Sequence, residues 1–277
     1  MANNETPLVS IVIPAYNVES TVVETLDSVV AQTYSNIETI IVDDGSTDNT
    51  LKIVREFIAD KPSMHVYTKG NEGLAATRNY GFQFVKGKYL LFLDADDLID
   101  PHFVELCIEI FETQPEVNIV TTQVQLFERE NRIYEYPAFS PETLLRENCF
   151  VITSMIKSEA FRDIGMFDAG MRFHEDWDMW IRMTDKYNNV VHINRPLFLY
   201  RKRNSQDSLC DINDRENVSN IAHALIYYKY NEKFLAVGFG LKDFFKIMDK
   251  ENYYRKKYNS IWYRKLFYKL FKNKKLD

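Results

Sequence analysis

The chain has 277 residues, 45% hydrophobic and 27% charged, with a formal net charge of −6. That allows a sizeable core, as one large domain or a domain with an appendage, and only 9 Gly and 8 Pro exclude a low-complexity chain. Cys107, Cys149 and Cys210 lie far apart and match no zinc or redox spacing, which reads as incidental thiols in a reducing, cytoplasmic setting.

The first half alternates strand and helix signals. "LVSIVI" (8–13) is a short apolar, β-branched run ended by Pro14, and "VESTVVETLDSVVAQ" (18–32) carries apolar residues at helical spacing. "IETIIVDD" (37–44) reads as a second strand, followed by a capped helix at "STDNTLKIVREFIAD" (46–60). "MHVYTK" (64–69), "KYLLFLD" (88–94) and "VNIVTTQVQLF" (117–127) are further strands, separated by helices at "GLAATRNYGFQFV" (73–85) and "PHFVELCIEIFET" (101–113). This order predicts βαβ units and a mostly parallel sheet. The second half is less regular. A strand is expected at 150–157, a short helix from Ser158, a helix at 174–187 and a strand at 190–203 interrupted by Pro196, with helical residues over 213–247.

Open parallel sheets bind ligands outside the carboxyl ends of their strands. Three such ends are polar or acidic here: Pro14-Ala15-Tyr16-Asn17, Asp43-Asp44-Gly45-Ser46 and Asp94-Ala95-Asp96-Asp97. Asp94 and Asp96, with small Ala95 between them, point the same way on an extended segment and suit Mg²⁺ or Mn²⁺, although a lone Asp-x-Asp is more often a solvated turn. Asp44 is either a ligand to a nucleoside or a cap for the helix after it. Asn71 and Gly73 open a helix that carries Arg78, which suits either phosphate or an ion pair. Glu175 and Asp176 start a helix; they either offset its dipole or supply a general base.

"VSIVIPAYNVE", "IIVDDGSTDNT", "NEGLAATRNYG", "LFLDADD" and "IGMFDAGMRFHEDWDMWIRM" stand in the order and spacing of glycosyltransferase family 2, and the chain resembles that family over about residues 7–205. The resemblance implies a GT-A fold, a Rossmann-like α/β nucleotide-binding half followed by an acceptor side, and inverting, metal-dependent transfer from a nucleotide sugar. It places Pro14, Tyr16, Asn17 and Glu19 along the nucleoside pocket and Asp44 against the base. Asn71, Gly73 and Arg78 fall near the nucleotide and its diphosphate. Asp94 lies towards the ribose, with Ala95 between it and Asp96, the direct metal ligand of the Asp-x-Asp motif; Asp176 is the catalytic base. Arg201 and Arg203 align only loosely with a loop over the diphosphate, and Asp97 has no assigned role. The Gln-x-x-Arg-Trp motif of processive members is missing, so one sugar per encounter is expected, from a UDP-sugar to a glycan or lipid-linked acceptor in polysaccharide or glycoconjugate synthesis.

The expected domains are residues 1–210 (1–125 for the nucleotide sugar, 126–210 for the acceptor) and a helical extension over 211–277. Residues 252–277 hold nine Lys or Arg and one Asp, a net of +8, which leaves the other 251 residues at −14. This basic, aromatic tail suits an anionic membrane surface, as a peripheral contact on the inner face, or packing on the acidic body. Nothing else in the chain supports nucleic-acid binding, and oligomeric state is not legible. "MANNETP" (1–7) lacks the basic start of a secretion signal, and no apolar run approaches the roughly 20 residues that span a bilayer. Two other readings compete: a non-catalytic module that binds nucleotide sugar or glycan, and a nucleotidyltransferase. The second would show a Gly-rich basic loop where this chain has "PAYNVES".

Overall fold

The computed structural model describes residues 6–171, 173–204 and 218–246. The chain divides into two compact units, Met1–Ala222 and His223–Asp277. The expected boundary at residue 210 and the basic tail at 252–277 both lie outside the described residues.

The first unit is built on a nine-stranded mixed sheet. In chain order it runs β1 (Val9–Ala15), α1 (Val22–Val30), β2 (Ile37–Asp43), α2 (Thr50–Ile58), β3 (Met64–Thr68), α3 (Leu74–Phe82), β4 (Tyr89–Phe92), β5 (Leu98–Ile99) and α4 (Phe103–Thr113). There follow β6 (Ile119–Glu128), β7 (Arg132–Tyr134), α5 (Pro141–Arg146), β8 (Met155–Lys157), α6 (Ser158–Asp163), α7 (Glu175–Lys186) and β9 (Val190–Lys202). The strands lie in the order β3-β2-β1-β4-β8-β6-β9-β5, with β7 on β6. Strands β1 to β4 are mutually parallel, as their alternation with helices requires, and β8 enters antiparallel between β4 and β6.

Strand β1 is buried along its whole length, covered on both faces, so its sequence reads as an almost unbroken apolar run. Burying each such Val, Ile or Leu contributes about 1.5–3 kcal/mol, enough to fix the register of the strands beside it. That register matters for the site. Ala15 pairs with Asp43, and Val12 with Phe92, so the loops after β1, β2 and β4 emerge on one rim.

Helix α3 packs unusually close over β1 and β2. A Cβ at Gly81 would sit 2.6 Å from Val12 Cγ1 and 3.1 Å from Val42 Cγ2. Gly81→Ala gains at most about 1 kcal/mol of helix propensity, while overpacking costs about 1–3 kcal/mol. The variant is expected to be less stable in urea titration; an increase in midpoint would show that α3 can lift off the sheet freely.

Two departures from the sequence reading, the strand at 150–157 and helix α5, have local causes. The strand expected at 150–157 is confined to 155–157, because residues 148–154 make turn bonds instead: Asn148 Oδ1 accepts from Phe150 N, and Ser154 Oγ donates to Val151 O. Pro196 interrupts β9 as the sequence suggests: it sits opposite Gln123, where the β6–β9 register shifts, which is where a residue without an N–H can be accommodated. Helix α5 was not expected, although Ser140 caps it by accepting from Thr143 N at 3.0 Å and Pro141 follows the cap.

The second unit, where described, holds the end of α8 (Val218–Lys229) and α9 (Asn231–Ala236), with Tyr227 stacked on Phe244 and tilted against Phe234. Among the described residues no helix is long and apolar enough to cross a membrane.

Candidate active site

The first two rim loops are laced together by their own polar groups. Asn17, in the left-handed region at φ 51°, accepts from Thr47 N at 2.8 Å and donates its own N–H to Ser46 Oγ at 3.0 Å. Glu19 accepts from Asn49 N and Nδ2 at 2.9 and 2.8 Å. Pro14 is buried in β1, and Tyr16 stands 47% exposed at the lip. Asn17 and Glu19 thus shape the rim by capping the turn before α2.

Asp44 is buried and accepts three hydrogen bonds, from Lys69 Nζ (2.8 Å), Glu72 N (3.1 Å) and Gly73 N (3.0 Å). It therefore anchors the loop that carries Asn71 and Gly73, not the helix after Ser46. Gly73 has φ +89°, a conformation a residue with a side chain would adopt only with strain, and it begins α3. Asn71 is exposed on that loop.

Arg78 departs most from the sequence expectation. It is 1% exposed, and its two terminal nitrogens are committed: Nη2 donates to Asp94 Oδ1 at 2.6 Å and Nη1 to Glu175 Oε1 at 2.8 Å. Instead of lying open at the rim for a phosphate, the guanidinium lies beneath it, 5.6 Å from the centre of the Phe167 ring. It joins the acidic end of β4 to the first turn of α7, although those residues are 16 and 97 positions away in sequence.

Above this bridge lies the acidic strand end. Ala95 is buried, and its carbonyl accepts from Thr21 Oγ1 at 3.1 Å. Asp96 Oδ2 accepts from Arg203 Nη2 at 2.7 Å. Burial raises the Asp96 carboxyl; Arg203 opposes this and the Asp94 charge adds to it. Asp97 is 1% exposed and accepts from Arg201 N at 2.7 Å. Burial, then the charges of Asp96 and Asp94, hold it well above the usual carboxylate range. Arg201 also donates to the Asp96 carbonyl, Glu128 and Glu24. Asp97 and Arg201 together fix the end of β9 against the acidic loop, a role for both that needed the fold to see.

Helix α7 begins at His174, which holds a left-handed φ of 57°. Glu175 and Asp176 lie in its first turn. Burial pushes Glu175 up to about 7, against the pull of Arg78. Burial also raises Asp176, opposed by Arg78 and by hydrogen bonds that include the side chain of Asn148, whose Nδ2 donates to Asp176 Oδ2 at 3.0 Å. Asn148 was missed in the sequence: one Asn in an irregular stretch carries no signal.

The donor chemistry at the strand end fits a hard divalent cation. Asp94 and Asp96 supply carboxylate oxygens, and the repulsion among these acids, which adds to burial in raising Asp96 and Asp97, is what an added cation relieves. Among the described residues no cluster of three His, Cys, Asp or Glu side chains is arranged to enclose an ion. An ion here would complete its shell with water or substrate oxygens, as Mg²⁺ and Mn²⁺ sites commonly do.

Three comparisons bear on this site. The chain is 32% identical over 199 residues to a chondroitin synthase of Escherichia coli, covering 69% of this chain and 29% of that protein, so it spans less than a third of that relative's length. Its fold superposes on S. aureus TarS 1–349 in complex with UDP-GlcNAc with a TM-score of 0.64 at 19% identity, covering 85% of this chain and 77% of that one. It superposes on the mannosyltransferase PcManGT of Pyrobaculum calidifontis, in complex with GDP-Man and Mn²⁺, with a TM-score of 0.57 at 18% identity, covering 73% and 60%. The fold is thus that of the GT-A glycosyltransferases. Residues 10–175, which include all three rim loops, α3 and the start of α7, match the description "Glycosyl transferase family 2", and the chain belongs to that family.

Proposed function

We infer that the protein transfers a single sugar from a nucleotide-diphosphate sugar, a UDP-sugar, to a hydroxyl of a glycan or lipid-linked acceptor, with inversion at the anomeric carbon. One observation carries the reading: the Arg78 bridge holds the acidic end of β4 and the first turn of α7 in a single ion-pair cluster beside the strand-end rim. That cluster puts a donor-side carboxylate, Asp94, and Glu175, the neighbour of the candidate base Asp176, on separate arms of one guanidinium. The kinship with a chondroitin synthase supports a role in polysaccharide synthesis, and the UDP-GlcNAc complex of the TarS fold supports the choice of nucleotide.

In this mechanism Pro14, Tyr16, Asn17, Glu19 and Asp44 line the nucleoside pocket, and Asn71 and Gly73 border it. Asp176 takes the proton of the acceptor hydroxyl as that oxygen attacks the anomeric carbon from the face opposite the diphosphate. A carboxylate raised by burial is a stronger base than an exposed aspartate, and the charge of Arg78 opposes that rise. A divalent ion, Mn²⁺ or Mg²⁺, held by Asp96 with Asp94 towards the ribose, would offset the charge that develops on the leaving diphosphate. Arg78 keeps Asp94 and Glu175 in place without touching substrate.

A thermal-shift panel of nucleotide sugars with Mn²⁺ or Mg²⁺ tests the reading. A donor present at 100 times its Kd stabilises the fold by about 2.7 kcal/mol, a shift of several degrees. UDP-sugars are expected to give it, and Asp96→Ala to lose the metal-dependent part. A panel in which no nucleotide sugar moves the midpoint, with either metal, would sink the proposal.

A further inference from the structure

We propose that Asn148 is a positioning residue for Asp176: its side-chain amide grips Oδ2 and so sets the carboxylate's rotation towards the acceptor. The inference deepens the reading of Asp176 as base and rests on it.

The orientation of the Asn148 amide follows from its partners. Its Oδ1 accepts from Phe150 N at 3.1 Å, so the end facing Asp176 Oδ2, at 3.0 Å, is the donating NH₂. The two ends do different work. One closes the 148–150 turn; the other reaches across to α7. The segment itself is bolted to α7 on both sides of Asn148. Trp177 Nε1 donates to Leu144 O at 2.6 Å, and the Phe150 ring lies 5.2 Å from that of Trp180, which is fully buried. A donor held between two such anchors has little freedom to swing away, and a carboxylate it holds has little freedom to rotate.

The other groups that bear on Asp176 act by charge or, for the backbone N–H groups of Trp177 and of Asp176 itself, from within its own helix turn, so Asn148 is the side chain that ties it to a second segment. Glu175 is its neighbour on α7 and repels it. Arg78, from α3, acts on it by charge, but both terminal nitrogens of that guanidinium are spent on Asp94 and Glu175. Asn148 is the neutral side chain that bonds the carboxylate directly, and so fixes its direction without competing for its charge. Misplacing a reacting group by about 1 Å costs on the order of a hundredfold in rate, so an unsteered base would be a serious loss.

The division of labour within Asn148 supplies the test. Asn148→Asp keeps the shape and the acceptor for Phe150 N, and replaces the donor with a charge. Asn148→Ser is a second variant, with a hydroxyl too short to reach Asp176. In the full chain, the donor KM is expected to stay within about twofold while kcat falls by about tenfold to a hundredfold. The ¹³C resonance of the Asp176 carboxyl, identified by its loss in Asp176→Asn and followed without substrate, is expected to titrate about one pH unit higher or more in Asn148→Asp. A purely structural residue would change folded stability and, in Asn148→Ser, which adds no charge beside Asp176, leave both readouts unmoved. Wild-type kcat, or an unmoved Asp176 titration in whichever variant folds, overturns the proposal. Because the titration is read without turnover, it stands apart from the base assignment, which fails separately if Asp176→Asn transfers sugar normally.

Discussion

Asp176→Asn is expected to bind nucleotide sugar as the wild type does and to transfer it slower by roughly 10²–10⁴-fold, the usual contribution of a positioned general base. The substitution is nearly isosteric, and the new side chain retains an oxygen that can accept from Asn148. The fold therefore has little reason to fail. Donor affinity should hold because the residues assigned to the nucleotide lie on the loops after β1, β2 and β4 and on the 70–73 loop, whereas the side chain that bonds Asp176 is Asn148, which is not among them. The loss should fall on kcat. The adjacent acid provides the control. Glu175 is ion-paired to Arg78 and only 8% exposed, so Glu175→Gln removes a structural partner, not a proton acceptor. Its expected signature is a lower midpoint of unfolding with a rate, per folded molecule, far above that of Asp176→Asn. A turnover within tenfold of wild type for Asp176→Asn, or the reverse ranking of the two variants, would end the assignment of the base.

Much of the framework that brings these residues together is legible in the chain. The βαβ half is written in short β-branched runs separated by amphipathic helices, because strands covered on both faces need apolar residues throughout. Their parallel order then puts Asn17, Asp44 and Asp96 on one rim without any knowledge of contacts. Other features resist such reading for a common reason: their meaning lies in partners distant in sequence. Arg78 suits a phosphate by residue type, and its burial between Asp94 and Glu175 depends on α7, nearly a hundred residues on. Asp97 has no local signal for its bond to Arg201 N, 104 positions away. The two-residue β5 and the exposed three-residue β7 are too short to show a period. Asn148 acquires a role only when the turn it closes is set against Asp176.

Arg78→Met is expected to cost about 3–5 kcal/mol of stability, the usual consequence of removing one partner from a buried ion pair. The methionine fills comparable volume, so the deficit does not come from a cavity. It comes from Asp94 and Glu175, which lose their shared cation, Glu175 in an almost fully buried site. Arg78→Lys should recover little, since a single ammonium cannot span two carboxylates held by separate guanidinium nitrogens. In a two-state scan the Arg78→Met loss corresponds to a fall in Tm of about 6–20 °C for a unit of this size. The pH dependence has a definite sign. Glu175 already titrates near 7 in the folded protein against 4.5 as its ordinary value, and losing the Arg78 charge moves it higher still. A carboxyl raised on folding contributes stability that is fully present below its unfolded pKa and lost as pH rises through the folded one. The deficit of Arg78→Met should therefore widen between pH 5 and pH 8. Adding Glu175→Gln should narrow it and flatten that dependence by removing one of the two stranded charges. A single variant as stable as wild type at pH 8, or a deficit that shrinks as pH rises, would mean that Arg78 does not tie the two acidic segments together, and the site would lose its physical link between donor side and base.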